Sequence, residues 1–583
     1  MSNLYSDNRN ALIVVALLKE HGIRKVIASP GTTNITIVGS MQYDPWFEMY
    51  SAVDERSAAY MACGLAAESN EPVVIVCTGA TASRNYLPGL TEAYYRKLPI
   101  VVITGSHGEE NIGHLHAQSI DRTRTPKDTV KLSVFIDGIK DKKDEWKNIL
   151  LINKALLELD HHGRGPVHLN VEAPASFNFQ TKELPYIRKI TRYNQNDKLP
   201  DLPNGKIAIF IGSHVQMTQN EIAVLDKFCE VNNSVVFGDH TSGYKGKYLV
   251  NYALVASQIG HTSELASPDL LIHVGEVSGD TYTTGKLKPK SVWRVSLDGE
   301  IRDLFLQCVA VFEMDECSFF EYYSVGAKRS ESDYLQKCMA EYNQFFGNMP
   351  DLSFGNLWIA KELSAKMPQN SVIHFGIFNS LRSWNFFRLD SSIESSCNVG
   401  GFGIDGPVST VIGAALANPQ KIHYLIVGDL AFFYDLNALG NRHVFSNLRI
   451  LLVNNGRGVE FRKKDHPGST FGDDADRYIA AGGHFGNASH SLVRHFAEDL
   501  GFDYISSSNK DEFYTVVSRF INSEIIGKPM VFEVFPCVDD EVNNIDRVRH
   551  MAQNSRGFID KVTDATKSEL KGFVKKILKY NNG

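Results

Sequence analysis

The sequence predicts an α/β protein made of three doubly wound, parallel-sheet blocks. Short β-branched runs recur along the chain and stop at Gly, Asp, Asn or Thr, with amphipathic stretches of helical period between them, which is the βαβ pattern of a parallel sheet. The phrase GPVHLNVEAP (Gly165 to Pro174) near the end of the first block is echoed by GKPMVFEVFP (Gly527 to Pro536) near the end of the last, so the outer blocks read as copies of one fold.

In the first block the apolar run Ala11 to Leu18 predicts a buried helix. Strands are expected at Lys25 to Ala28, Val73 to Cys77 and Ile100 to Thr104, with a helix over Ser57 to Glu68. Pro185 to Gly205, rich in Asn, Asp, Lys and Pro, reads as a linker. The middle block should carry strands at Ile207 to Ile211, Val235 to Gly238, Leu270 to Val274 and Val292 to Val295. The third begins near Asp351, with strands at His423 to Val427 and Arg449 to Val453. The expected domains are therefore residues 1–184, a linker 185–205, residues 206–345 and residues 346–583.

A formal net charge of −7 argues against a nucleic-acid partner. Eight cysteines without a C-x-x-C spacing imply neither a disulfide framework nor a zinc site, and fit a reducing cytoplasm. Met1 to Asn10 lacks the cationic start of a secretory signal, and no apolar run approaches the ~18 residues of a membrane span. A protein neither exported nor embedded is expected.

Chemistry enters with two pairs. Gly428-Asp429 ends one buried strand and Asn454-Asn455 ends the next. Where neighbouring parallel strands end, a ligand crevice opens. A carboxylate and an amide oxygen meeting there suit Mg²⁺, which takes one or two such ligands and completes its shell with phosphate oxygens and water. The interval between Asp429 and Asn455 leaves room for one crossover helix, expected over Phe432 to Leu439. Its amides, with those of the turn Asn454 to Gly458, would cradle a diphosphate.

This arrangement resembles the GD…NN motif of thiamine diphosphate enzymes. The chain is most similar to the 2-succinyl-5-enolpyruvyl-6-hydroxy-3-cyclohexene-1-carboxylate synthase family, through Ser29-Pro30-Gly31, VDERSAA (Val53 to Ala59), NYLP (Asn85 to Pro88), GIDG (Gly403 to Gly406) and GDLAFFYDLN (Gly428 to Asn437). The resemblance implies a pyrimidine-binding domain, a central domain and a diphosphate-binding domain, with thiamine diphosphate and Mg²⁺ as cofactors. It implies metal ligands at Asp429, Asn455 and Arg457. Coenzyme contacts are implied at Pro30, Gly31, Thr78, Gly79, Asn85, Phe402, Gly403, Ile404, Gly428, Leu430, Ala431 and Gly458.

Glu55 is the expected catalytic carboxyl. It would sit in an apolar wall and share a proton with the coenzyme's N1′, although a first-turn glutamate stabilised by the helix dipole has the same sequence signature. Ile404 matches the family's wedge between the two rings, and the Phe402 carbonyl would accept from the 4′-amino group. Gln118 matches a family glutamine that contacts substrate. His107, His114 and His116 crowd the same loop, where each is either a proton shuttle or a surface residue. Arg382 resembles a family arginine at shortened spacing. Glu460 is either a second carboxyl at the site or a helix-starting acid facing solvent.

The family's SPGSR reads Ser29-Pro30-Gly31-Thr32-Thr33 here, and a second arginine is replaced by Val399, so two guanidinium forks are missing. This argues for a shared scaffold and a different substrate. Thr32 and Thr33 then become candidate substrate contacts. A carboligase acting on a 2-oxo acid and a carbonyl acceptor is expected. The alternatives are a simple 2-oxo acid decarboxylase of pyruvate or phosphonopyruvate type, an acetolactate synthase-like enzyme, or a coenzyme-binding protein that has lost its reaction. The resemblance implies a homodimer or homotetramer and argues against FAD in the middle block. The apolar spacing of Leu570, Phe573, Val574, Ile577 and Leu578 predicts a helix packed on protein rather than on a membrane.

Overall fold

The computed structural model describes residues 4–325, 333–483, 489–525 and 527–553. The C-terminal helix expected around Leu570 lies outside the described residues. The chain divides into two compact units, one formed by residues 1–197 and 299–311, the other by residues 198–298 and 312–583.

In the first unit, strands β1 (Lys25–Ala28), β2 (Glu48–Ser51), β3 (Val73–Cys77), β4 (Ile100–Ser106), β5 (Leu132–Ile136) and β6 (Val167–Glu172) form a sheet in the order β2-β1-β3-β4-β6-β5. Every neighbouring pair is parallel. Strands β3 and β4 are buried on both faces, which is why they read as unbroken apolar runs rather than as alternation. The helix Arg9–Glu20 buries Ala11 to Leu18 against one face, as the run predicted.

The expected linker is not structureless. It contains a strand, β7 (Thr191–Asn194), paired as an edge strand beside Cys308–Glu313, and the Arg192 side chain is also held by the Gly299 carbonyl and by Glu158.

The second unit carries β8 (Ile207–Ile211), β9 (Val235–Gly238), β10 (Leu249–Val250), β11 (Leu270–Val274) and β12 (Ser291–Val295), side by side as β10-β9-β8-β11-β12. The chain passes from this unit into the other and back through β13 (Cys308–Glu313). A second sheet in this unit consists of β14 (Val372–Phe375), β15 (Glu394–Cys397), β16 (His423–Gly428), β17 (Leu448–Val453), β18 (Asp503–Ser507) and β19 (Met530–Val534). Its order is β15-β14-β16-β17-β19-β18, again all parallel.

This is the order of the first sheet, strand for strand. The echoed phrases place β6 and β19 at equivalent positions, so the duplication read from two ten-residue phrases holds for the topology of both sheets. Helices of small residues pack closely on the first sheet. The helix Glu55–Ser69 buries Ala58, Ala59, Ala62 and Ala66, and at Gly89 a Cβ would lie 2.5 Å from that of Ala59.

Candidate active site

In the first unit the predicted residues gather at the carboxyl ends of β1, β2, β3 and β4, where a parallel sheet places its ligand crevice. Asp54, after β2, caps the helix Glu55–Ser69 by accepting from the Ser57 amide at 3.1 Å. Glu55 is thereby fixed in the first turn, and Asn85 Nδ2 donates to its Oε2 at 3.0 Å. Two residues beyond Asn85 begins the helix Leu87–Tyr95, whose Gly89 packs so closely on Ala59 that any side chain there would push that helix off Glu55–Ser69.

Within its own unit Glu55 lies near the buried Cys77 and Tyr86 but is not fully enclosed. It is half-buried, and around it Val53, Tyr60 and Met61 turn apolar side chains outward, with Val53 81% exposed. Beside it, Gly31 lies so near Thr78 that a Cβ would meet the threonine Cβ at 2.6 Å. The Thr33 hydroxyl bonds Thr78 Oγ1 at 2.5 Å and accepts from the Gly79 amide at 3.2 Å, which locks two strand ends together. Thr33 therefore faces inward while Thr32 is exposed.

His107, His114, His116 and Gln118 are all exposed on the loop after β4, with Gln118 at φ +62°. Among the described residues none of these four side chains bonds to Glu55 or Asn85. The structure collects them in one loop without joining them to the carboxyl.

In the second unit β16 and β17 are paired Gly428 to Val453, so Asp429 and Asn454-Asn455 leave adjacent strands side by side. The crossover helix starts three residues earlier than expected. It runs Asp429–Tyr434, with Gly428 as N-cap, and breaks at Asp435 into a 3₁₀ segment, Leu436–Gly440, because Asp435 turns to accept from Ser409 N and Oγ at 2.5 and 2.7 Å. Asp429 is 3% exposed; its Oδ1 accepts from Leu430 N at 2.9 Å and its Oδ2 from Gly456 N at 2.7 Å. Gly456 reaches that position at φ +83°, a conformation that favours glycine.

Two buried glutamates that sequence reasoning missed orient the asparagines. Asn455 Nδ2 donates to Glu541 at 2.5 Å, and the other oxygen of Glu541 accepts from the Asn356 amide at 2.8 Å. Asn454 Nδ2 donates to Glu533 at 2.7 Å, as does the Tyr504 hydroxyl. Burial, aided by the Asp429 charge, pushes both glutamates up to about 7. Glu533 was detectable as an acid inside the apolar run MVFEV; nothing local marks Glu541.

This donor set suits a hard cation. With its amide nitrogen committed to Glu541, Asn455 can turn only its oxygen elsewhere, and among the described residues that oxygen holds just a long contact, 3.3 Å, from Arg457 N. Arg457 can ligate a metal only through its backbone carbonyl, since a guanidinium has no lone pair and this one pairs with Asp476 at 2.8 Å. Gly458 N donates to the Ala480 carbonyl at 2.6 Å, which closes the turn.

Phe402 lies at φ +53° and its ring stands 6.0 Å from that of Phe378; Ile404 packs on the core cluster that includes Val408, Leu425 and Leu452. The Arg382 guanidinium sits over Phe378 at 5.3 Å and pairs with Glu460 at 2.5 Å. Lys463, a residue not anticipated, pairs with the other oxygen of Glu460 at 2.6 Å. Burial would raise the Glu460 carboxyl, but Lys463 and Arg382 outweigh it and hold the group below its ordinary value. Glu460 does start a helix, in the first turn of the 3₁₀ segment Val459–Arg462, but it is clamped between two cations rather than facing solvent.

A cleft of about 960 Å³ lies at the ends of β8, β11 and β12 and extends along β15 to Val399 and Gly400, lined also by His214, Glu276, Arg294 and Asp298. The helix that opens beside it, Gln219–Asn232, has its first amides closed by a Thr218–Glu221 capping box.

Residues 9–125 match the family model for the N-terminal binding domain of thiamine pyrophosphate enzymes, which places the protein in that enzyme class. Over 565 residues, 91% of this chain and 96% of the relative, it is 32% identical to the 2-succinyl-5-enolpyruvyl-6-hydroxy-3-cyclohexene-1-carboxylate synthase of Bacteroides thetaiotaomicron. The enzymes of that name from Phocaeicola vulgatus and Christiangramia forsetii are 31% and 29% identical, over 94% and 92% of this chain and 100% and 98% of their own lengths. The chain belongs to the 2-succinyl-5-enolpyruvyl-6-hydroxy-3-cyclohexene-1-carboxylate synthase family of thiamine diphosphate-dependent enzymes.

Proposed function

We propose that this protein is a thiamine diphosphate- and Mg²⁺-dependent carboligase that decarboxylates a 2-oxo acid and transfers the resulting acyl carbanion to a carbonyl acceptor. The observation that carries the proposal is the juxtaposition of Asp429 with an Asn455 whose amide oxygen is singled out by Glu541. Asp429, Asn455 and the Arg457 carbonyl would hold Mg²⁺. The amides and side chains at Gly428, Leu430, Ala431 and Gly458 would receive the diphosphate.

Pro30, Gly31, Thr78, Gly79 and Asn85 form the wall for the pyrimidine, with Glu55 sharing its proton at N1′ and Asn85 steering that carboxyl. Phe402 offers its carbonyl to the 4′-amino group, Gly403 permits close approach, and Ile404 wedges the two rings. When bound, the coenzyme supplies the electron sink that makes loss of CO₂ feasible. Thr32, Gln118, His107 and His116 are the proposed substrate contacts of the first unit, with Thr33 bracing Thr32. Arg382 is the proposed anion contact of the second, with Glu460 holding it in place.

The outward apolar side chains of Val53, Tyr60 and Met61 beside Glu55 support a homodimer, or a tetramer built from it, in which a second subunit completes the site. Among the described residues no helix is long and apolar enough to cross a membrane; a cytoplasmic enzyme is proposed. The threonine at 33 and the valine at 399 favour a substrate pair other than isochorismate and 2-oxoglutarate, and keep a simple decarboxylase as the second reading.

The test is incubation with pyruvate and with 2-oxoglutarate, each with and without an added aldehyde. Coupled product supports the carboligase; aldehyde product alone selects the decarboxylase; no CO₂ from either acid in a coenzyme-loaded protein rules out both acids as donors.

A further inference from the structure

A small cavity of about 20 Å³ in the first unit is walled by Leu87, Leu90, Val102, Pro126 and Val130 together with a polar set that includes Arg84, Thr104, Arg122, Arg124 and His168, and no carboxylate lines it. Arg122 is 6% exposed. One of its nitrogens donates to the Gly105 carbonyl at 3.0 Å, while Nε and Nη1 are buried with no hydrogen-bond partner among the described residues. Arg84 donates only to a backbone carbonyl, that of Asp121, at 2.7 Å. None of the three guanidiniums pairs with an acid among the described residues. His168, bonded to Thr104 at 2.8 Å and pushed by burial down to about 3, stays neutral and adds no counter-charge.

A buried cation with two unpaired nitrogens is unstable by itself, so natural sequences keep one only where something compensates it. The glycine at 79 is part of the construction: a Cβ there would lie 2.9 Å from Arg122 Nη1. The guanidinium therefore fits under the β3 turn only because that residue is bare.

We propose that Arg84, Arg122 and Arg124 form an oxyanion site that takes a single carboxylate group. The cavity is small, so a flat carboxylate enters it more readily than a bulkier tetrahedral phosphate. Guanidinium is the side chain best suited to a carboxylate. The exposed Arg84 and Arg124 draw the anion in, and buried Arg122 holds it. The carboxylate comes either from a free small acid or from the far end of a substrate. The inference does not depend on the proposed reaction, because binding can be read without the coenzyme.

The experiment uses the full chain without thiamine diphosphate or Mg²⁺. Succinate is titrated against chloride at matched ionic strength, with calorimetry and thermal melting as readouts. The parent should bind succinate saturably at one per chain and melt higher with it. Arg122→Met should abolish that binding, yet melt at or above the parent when succinate is absent, because an uncompensated charge has been removed. Arg124→Gln, at an exposed position that does not threaten folding, should weaken binding at least fivefold. In the loaded enzyme, a KM raised by Arg124→Gln for a 2-oxo diacid but not for a 2-oxo monoacid assigns the carboxylate to the substrate; unchanged KM values for both assign it to a free acid. No saturable uptake by the parent, or an Arg122→Met variant that melts lower whether or not succinate is present, overturns the site and leaves Arg122 a packing residue.

Discussion

Replacing Glu541 by Gln should cripple Mg²⁺ binding while leaving the fold intact. Both oxygens of Glu541 are occupied by donors, Asn455 Nδ2 at 2.5 Å and the Asn356 amide at 2.8 Å. Glutamine can accept only one of them, and its own amide nitrogen must then face the other donor. Asn356 N cannot turn, because it belongs to the backbone of the helix Asn356–Leu363. The Asn455 side chain can, and a flip directs an N–H where its oxygen served the cation. Losing one hydrogen bond to a charged acceptor costs about 1.5–3 kcal/mol, and removing a residue that orients a metal ligand typically costs about 10–100-fold in affinity. The two figures agree, so the dissociation constant for Mg²⁺ should rise by roughly that factor.

The assay is calorimetric titration of Mg²⁺ into protein with saturating thiamine diphosphate. Glu533→Gln is the control: it perturbs Asn454 instead, and should change Mg²⁺ affinity by less than about threefold. If Glu541→Gln binds Mg²⁺ as tightly as the parent, or if both variants lose affinity equally, the orienting role is wrong.

Gly89→Val should cost about 1–3 kcal/mol by overpacking and should weaken coenzyme binding, because the helix Leu87–Tyr95 is pushed off Glu55–Ser69 and takes the adjoining Asn85 with it; unchanged melting and coenzyme affinity would contradict this. Asp280 is fully buried, and desolvation together with Asp239 raises it to about 6. Its proton is held more tightly folded than unfolded, so stability is full below the unfolded value near pH 4 and falls by about 3 kcal/mol as pH rises through 6. Asp280→Asn, which keeps an acceptor for the Tyr282 and Thr283 amides, should flatten melting temperature against pH in that window, and an unaltered profile counts against it. Val53→Asp should shift sedimentation toward a monomer and lower activity in parallel; an unchanged oligomer removes the role proposed for that apolar face.

Local pattern alone was enough for the α/β class, most strand positions, the buried first helix and the two strand-end pairs of the second sheet. β3, β4, β16 and β17 were legible because a parallel strand covered on both faces must be apolar throughout, and because it must stop where a polar ligand-binding turn begins. The duplication was legible for the same reason: equivalent strands in equivalent layers face equivalent constraints.

Only the tertiary structure decided which distant side chains meet. Asn85 touches Glu55 because Gly89 lets two helices close on each other; Glu541 reaches Asn455 across 86 residues; Lys463 and Arg382 share Glu460. The inward turn of Thr33, the early start of the helix at Asp429 and the two unbonded nitrogens of the Arg122 guanidinium among the described residues were equally invisible beforehand. Periodicity records what a residue is buried against on average. A partner chosen across a sheet or between helices is set by packing distances of a few tenths of an ångström, and leaves no periodic trace in the chain.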